Sequence, residues 1–250
     1  MTGLFMADVG DGLCVAFSTL FGQTALIDCG SQQNPVLAYN GLLKIHNWPL
    51  GHDAFILSHF HADHYNGLLY GAEIFSGRSP LMIREVFYPR IPDFTEKAKF
   101  AEYLFSINLI LFGAETGVMA YDFLNTMLKL NNHIPFRQTP LYQGKIIEIG
   151  GSRFEVLWPP LSISSNKKTL SKIRKALVNF EIALAEDKES QRLHDFVKEE
   201  GIFKAYLENE EEPRTERQHR EHEHSNLEIE RRKLRTISVW LFLGTIGFSF

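Results

Sequence analysis

Three short apolar runs constrain this chain most: LCVAFST (13–19), QTALIDCG (23–30) and DAFILSHF (53–60), each bounded by Gly, Asp or Asn and rich in strand-forming residues. Runs this short and this apolar are expected as buried strands. Between the second and third, NPVLAYNGLLKIHNW spaces its apolar residues as a helix does, so the order is strand, strand, helix, strand. REVFYP (84–89) reads as a further strand, and residues 95–130 read as one or two helices interrupted near Gly113 and Gly117. PFRQT and GKIIEIGGSRFEVLWPP then predict a strand and a hairpin turned by Gly150 and Gly151. Strand-rich halves separated by helices predict sheets covered by helices, a layered α/β sandwich.

Charge divides the chain further. Residues 186–235 hold 26 charged side chains, 15 acidic and 11 basic, and so account for the whole net charge of −4. This reads as a solvated helical arm or a flexible insertion rather than core, with a surface suited to a protein partner. The expected organisation is a core over 1–160, a charged helical insertion or arm over 161–235, and an apolar strand pair over 236–250 that returns to the core. The small negative net charge argues against a protein that grips nucleic acid through bulk electrostatics. Only two cysteines occur, Cys14 and Cys29, both in strand-like runs, which fits a reducing compartment. The opening MTGLFMADVGDG has neither the basic stretch nor the apolar stretch of a secretory signal, so a cytoplasmic location is expected. The terminal ISVWLFLGTIGFSF is 14 residues long, short of the ~20 that cross a bilayer, so no integral membrane segment is expected.

The chemistry concentrates directly behind the third strand, in SHFHADHYNGL (58–68). His59 and His61 lie two apart, a spacing that in extended chain carries both imidazoles to one side, within reach of one metal ion. Asp63 and His64 follow, and a turn there swings them toward a second position. Imidazole and carboxylate together suit zinc, manganese or iron held with an open coordination position. Such an ion lowers the pKa of a bound water to about 7, and two ions ~3.5–4 Å apart stabilise both attacking and leaving oxygens. The chemistry implied is hydrolysis. Unliganded, the cluster is a liability, because neighbouring imidazoles repel when protonated.

SHFHADHYNGL resembles the H-x-H-x-D-H signature of the metallo-β-lactamase superfamily. MADVGDGLCVAFSTLFGQTALIDCGS resembles the opening of the branch that includes the metallo-hydrolase domain of the ComEC/Rec2 competence proteins, although its DVGDGL carries the acidic residue one place early. GKIIEIGGSRFEVLWPP is similar to that branch's later hairpin. The resemblance implies an αββα sandwich with its active site at one edge of the two sheets. It assigns His59 and His61 to a first metal and Asp63 and His64 to a second, with Asp63 also orienting the attacking water. Zinc is the cofactor it implies, manganese or iron being the other choices. It places Asp28 near the site in a supporting role, while Asp8 and Asp11 read as loop-capping residues. The activity implied is attack of a metal-bound hydroxide on a phosphodiester or other ester-type bond, in a small molecule or a nucleic acid.

The family usually adds a third histidine, a bridging aspartate and a last histidine. His133, in KLNNHIPFRQ, reads as a helix-terminal residue, and His219, His222 and His224 sit in the charged stretch. TISVWLFLGTIGFSF resembles the strand pair that precedes the bridging aspartate, so the sandwich is expected to be truncated at its C-terminus, with its two-metal site completed by residues further on. The alternative class is a catalytically inactive binding or regulatory module on the same fold.

Overall fold

The computed structural model describes residues 3–19, 21–46, 52–74, 82–112 and 123–207. Six strands, β1 (Gly3–Met6), β2 (Gly12–Ser18), β3 (Thr24–Ser31), β4 (His52–Ile56), β5 (Glu85–Pro89) and β6 (Arg137–Leu141), form one sheet in that order. β1, β2 and β3 pair antiparallel, and β3 to β6 pair parallel. Parallel neighbours need a crossover, and α1 (Pro35–His46) supplies the first, between β3 and β4. It begins where the sequence allows a helix to begin, with Pro35 in its first turn and the Asn34 side chain accepting from Val36 N at 2.9 Å.

The middle strands are buried on both faces, which is why they read as unbroken apolar runs rather than alternating ones. In one register row Leu26, Phe55 and Val86 face the helices and join the main core. One residue earlier in each strand pair, Ala25 and Ala54 face the other way and meet Ile147 and Ile149. Those isoleucines belong to the antiparallel hairpin of β7 (Ile146–Ile149) and β8 (Ser152–Glu155), turned by Gly150 and Gly151 at φ of 54° and 73°. Two consecutive positive φ values make a two-residue hairpin turn that matches strand twist, and glycine adopts them at no steric cost. Phe17 and Phe154 meet across the two sheets with centroids 5.4 Å apart and ring planes tilted by 54°. The described residues thus form three layers: helices, a six-stranded sheet and a hairpin sheet. A fourth, helical layer outside the hairpin is not among the described residues.

Helices α1, α2 (Asn66–Ile74), α3 (Lys97–Phe112) and α4 (Phe123–Leu130) lie on the helical side, with Leu68, Leu104, Phe105 and Met127 in the main core. The long α5 (Lys167–Glu186) and α6 (Lys188–Glu200) pack on α3. Within 186–207, the described part of the charged stretch, the helix is not solvated all round. Leu193, Val197, Phe203 and Tyr206 are buried, because the charges of α6 gather on one face and leave an apolar stripe on the other. Residues 208–250, with the remainder of the charged stretch, the apolar pair over 236–250 and His219, His222 and His224, lie outside the described residues. Among the described residues no helix is long and apolar enough to cross a membrane.

Between α3 and α6, Ser106 Oγ and His194 Nδ1 are 2.9 Å apart, and His194 Nε2 is 3.2 Å from Glu102 Oε1. Burial holds the His194 pKa below its ordinary value despite the nearby carboxylates of Glu102 and Asp195. The start of α5 is capped by Asn166, whose side chain accepts from Thr169 N at 3.0 Å. Asn166→Ala is expected to lower unfolding free energy by about 1 kcal/mol, read as a lower urea midpoint at unchanged slope.

Candidate metal centre

All four predicted ligands sit just past the C-terminal end of β4, the edge at which ligands gather in open parallel sheets. The strand ends at Ile56, and residues 57–61 continue without regular structure into a 3₁₀ turn at Ala62–His64. The three imidazoles come together: His59 and His61 have ring centroids 4.6 Å apart, and His59 and His64 3.8 Å. Asp63 Oδ2 lies 3.7 Å from His64 Nε2. His59 is buried, and His61, Asp63 and His64 are half-buried.

Asp28 organises this cluster from below. It sits on β3 opposite the step between Cys14 and Val15, where the register of β2 and β3 slips, and its φ is 53°. An extra residue in a strand re-aims its side chain, and here the bulge delivers a wholly buried carboxylate to the base of the histidines. Asp28 Oδ1 accepts from Ser58 N at 2.7 Å, and Asp28 Oδ2 accepts from Ser58 Oγ at 2.5 Å and from His64 Nδ1 at 2.7 Å. With its proton given to Asp28, Ser58 Oγ has only lone pairs left for His59 Nδ1, 3.0 Å away, so His59 Nδ1 is the donor there. One carboxylate therefore sets two tautomers. His59 and His64 both carry hydrogen on Nδ1 and a lone pair on Nε2, the arrangement of a histidine ready to bind metal.

Burial, reinforced by the neighbouring His64 and His61, lowers the pKa of His59 to about 3. His61 is also lowered, chiefly by burial, against an opposing pull from Asp63. Both rings are neutral at pH 7, as a ligand must be. His61 Nε2 is buried and has no hydrogen-bond partner, a bonding requirement that a cation would meet. These donors fit a divalent ion in chemistry. Among the described residues no three His, Cys, Asp or Glu side chains already stand as a complete metal-binding group, so the centre is a set of ligand-ready nitrogens packed side by side.

Close approach of the backbone keeps the cluster compact. A Cβ on Gly30 would lie 2.1 Å from Asp63 O, so only glycine lets the end of β3 meet the 3₁₀ turn. Asn66 ties the same junction from the other side, accepting from Ser31 N at 2.9 Å and donating to Ser31 O at 2.7 Å. Sequence reading passed over Ser58 and Asn66, although both stand inside the quoted cluster. Phe60, between the first two histidines, packs on Tyr206 with centroids 5.6 Å apart, so the end of the supposed arm buttresses the ligand loop.

The other candidates are placed elsewhere. Asp8 Oδ1 accepts from Gly10 N at 3.4 Å, closing the loop before β2, and the Asp11 carbonyl accepts from Gln32 N at 2.6 Å. His133 is exposed just beyond α4, with φ of 60° and its backbone N bonded to Leu128 O at 2.8 Å, a helix-ending geometry. Cys14 and Cys29 face each other across β2 and β3, both buried and both free thiols.

No family model matches the sequence, and no curated protein matches it. Two crystal structures are similar to it in part. One is a β-lactamase domain protein from Burkholderia ambifaria, 16% identical, covering 62% of this chain and 44% of that one, with a TM-score of 0.33. The other is a metallo-β-lactamase family protein from Thermus thermophilus, 22% identical, covering 62% of this chain and 51% of that one, with a TM-score of 0.31. The chain thus spans about half the length of each.

Proposed function

We propose that this chain is a metal-dependent hydrolase of the metallo-β-lactamase superfamily, of the competence-like branch, acting in the cytoplasm on a phosphodiester or other ester-type bond. The observation that carries the reading is the convergence of three imidazoles at one sheet edge, two of them held by Asp28 and Ser58 with Nε2 as the unprotonated nitrogen. His59 and His61 would hold one ion, and Asp63 and His64 a second. A bound divalent cation, zinc first and manganese or iron next, supplies Lewis acidity and makes water acidic enough to react near neutral pH. The protein's own groups do the rest. Asp28 keeps the His64 ring oriented, Ser58 relays that order to His59, and Asp63 would accept a proton from water.

Metal content and turnover test the reading together. Full-length protein purified without chelator is expected to carry zinc, manganese or iron in elemental analysis and to cleave bis(p-nitrophenyl) phosphate. Chelation should remove both properties, and adding back the same metal should restore them. A protein that carries no transition metal and gains none on dialysis against zinc would sink the proposal and leave a binding module on this fold.

A further inference from the structure

The histidine cluster opens on one side into a narrow cleft shared by His59, His61, Phe60, Arg90, Phe100 and Pro159. Most of that wall is apolar. Among the described residues that line it, Arg90 carries the one full charge, and its side chain is only 13% exposed. Arg90 Nη2 donates to Asp93 Oδ2 at 2.7 Å, but Arg90 Nε is buried and bonded to nothing. An unsatisfied donor on a buried cation is costly, more so than on a neutral group, and persists where something else is meant to fill it.

Arg90 also shares its carboxylate with a second cation. Lys97, 14% exposed, donates to Asp93 Oδ1 at 2.9 Å, so two sheltered cations share a single carboxylate. Glu96 is bonded to Arg174 Nε at 2.6 Å. Burial works against ionisation of Asp93, but the bonds from Lys97 and Arg90 outweigh it and hold its pKa below the usual value, so the carboxylate is fully engaged at neutral pH. The loop is also tied to its neighbours. The Asp93 carbonyl accepts from Ser162 Oγ at 2.9 Å and from Ser164 Oγ at 3.1 Å, and Arg90 N donates to Leu141 O at 2.8 Å.

We propose that Arg90, backed by Lys97 and competed for by Asp93, is an anion-binding subsite beside the histidine cluster, and that it takes one oxygen of a phosphate-type oxyanion. The cleft's volume of about 30 Å³ is that of one water-sized group, so the bulk of any ligand would stay outside. Guanidinium suits this task, since it stays charged and presents directed N–H donors to phosphoryl oxygens. That the anion belongs to a substrate rests on the hydrolase reading above; the binding itself does not. On that reading Arg90 is a positioning residue that selects anionic esters over neutral ones.

Calorimetric titration of the full-length, chelator-treated protein at low ionic strength with inorganic phosphate, and separately with acetate, tests this. Wild type is expected to bind phosphate more tightly than acetate, and Arg90→Gln to weaken phosphate at least tenfold. Asp93→Asn, which removes the competing carboxylate and leaves both cations, should tighten phosphate several-fold. Equal phosphate affinity in wild type and Arg90→Gln overturns the subsite, as does Arg90-dependent binding of acetate alone. Thermal melting checks that Arg90→Gln folds; if it does not, Asp93→Asn decides, and unchanged or weaker phosphate binding in that variant overturns the proposal. Failure of the wild type to take up metal counts against the hydrolase reading only, since every titration here is metal-free.

Discussion

The His59→Ala/His61→Ala double variant is expected to bind no stoichiometric transition metal and to lose at least a thousandfold in turnover of bis(p-nitrophenyl) phosphate, while keeping its fold. Ligands are the one part of a metal centre that neighbours cannot replace, and His59 and His61 are the two whose rings burial keeps neutral. Alanine leaves no unpaired charge behind. Ser58 Oγ loses a donor but keeps its bond to Asp28, and His64 keeps its own. The fold is therefore expected to survive, with a loss of about 1–3 kcal/mol from the emptied space. Elemental analysis and circular dichroism on the same sample separate the outcomes. Metal retained by a folded double variant would remove these two residues from the centre.

Acid sensitivity is the second large effect, and it belongs to the metal-free protein. Unfolded histidine titrates near 6.5, whereas folded His59 titrates at about 3. Above pH 6.5 both states are neutral at this residue, and folding carries no proton cost. As pH falls below 6.5 the unfolded chain takes up a proton that the folded chain refuses, so stability drops steadily until the pH reaches the folded value. The slope is about 1.4 kcal/mol per pH unit, which makes His59 alone responsible for about 2 kcal/mol at pH 5. His61 and His194 are shifted the same way and steepen the fall. Carboxylates with lowered pKa, Asp93 among them, add their losses only below their ordinary range near pH 4. Urea unfolding between pH 7.5 and 5 should therefore show a clear decline, and the double variant should show a much flatter one. A wild-type curve that stays flat down to pH 5 would contradict the buried, neutral state of these rings.

The two effects share a cause in Asp28. A buried carboxylate in a left-handed backbone conformation is an expensive feature for a strand, and it persists because its three bonds are complete. Those bonds hold His59 and His64 side by side, and that closeness adds to the burial that keeps His59 neutral.

Much of this was legible in the chain. The runs at 13–19, 23–30 and 84–89 became β2, β3 and β5, and the helical spacing after Asn34 became α1. The gathering of the three histidines could be read because they are neighbours in sequence, so their proximity needs no folding to predict. Shorter or less periodic pieces escaped. β1 is four residues with alternating exposure at the edge of the sheet, too brief for a period to declare itself. α2 follows so closely on the histidines that its apolar residues read as part of the cluster.

Sequence by itself determined the apolar strand order, the glycine-turned hairpin and the gathering of imidazoles behind the third strand, because each depends on residues within a few positions of one another. Tertiary structure alone decided what those imidazoles rest on. The bulge at Asp28, thirty residues upstream of Ser58, the pairing of Arg90 with an engaged Asp93, and the seating of Tyr206 against Phe60 all join distant segments. Local pattern cannot report such contacts, since their energy comes from burial and hydrogen bonding that exist only once the chain has closed on itself.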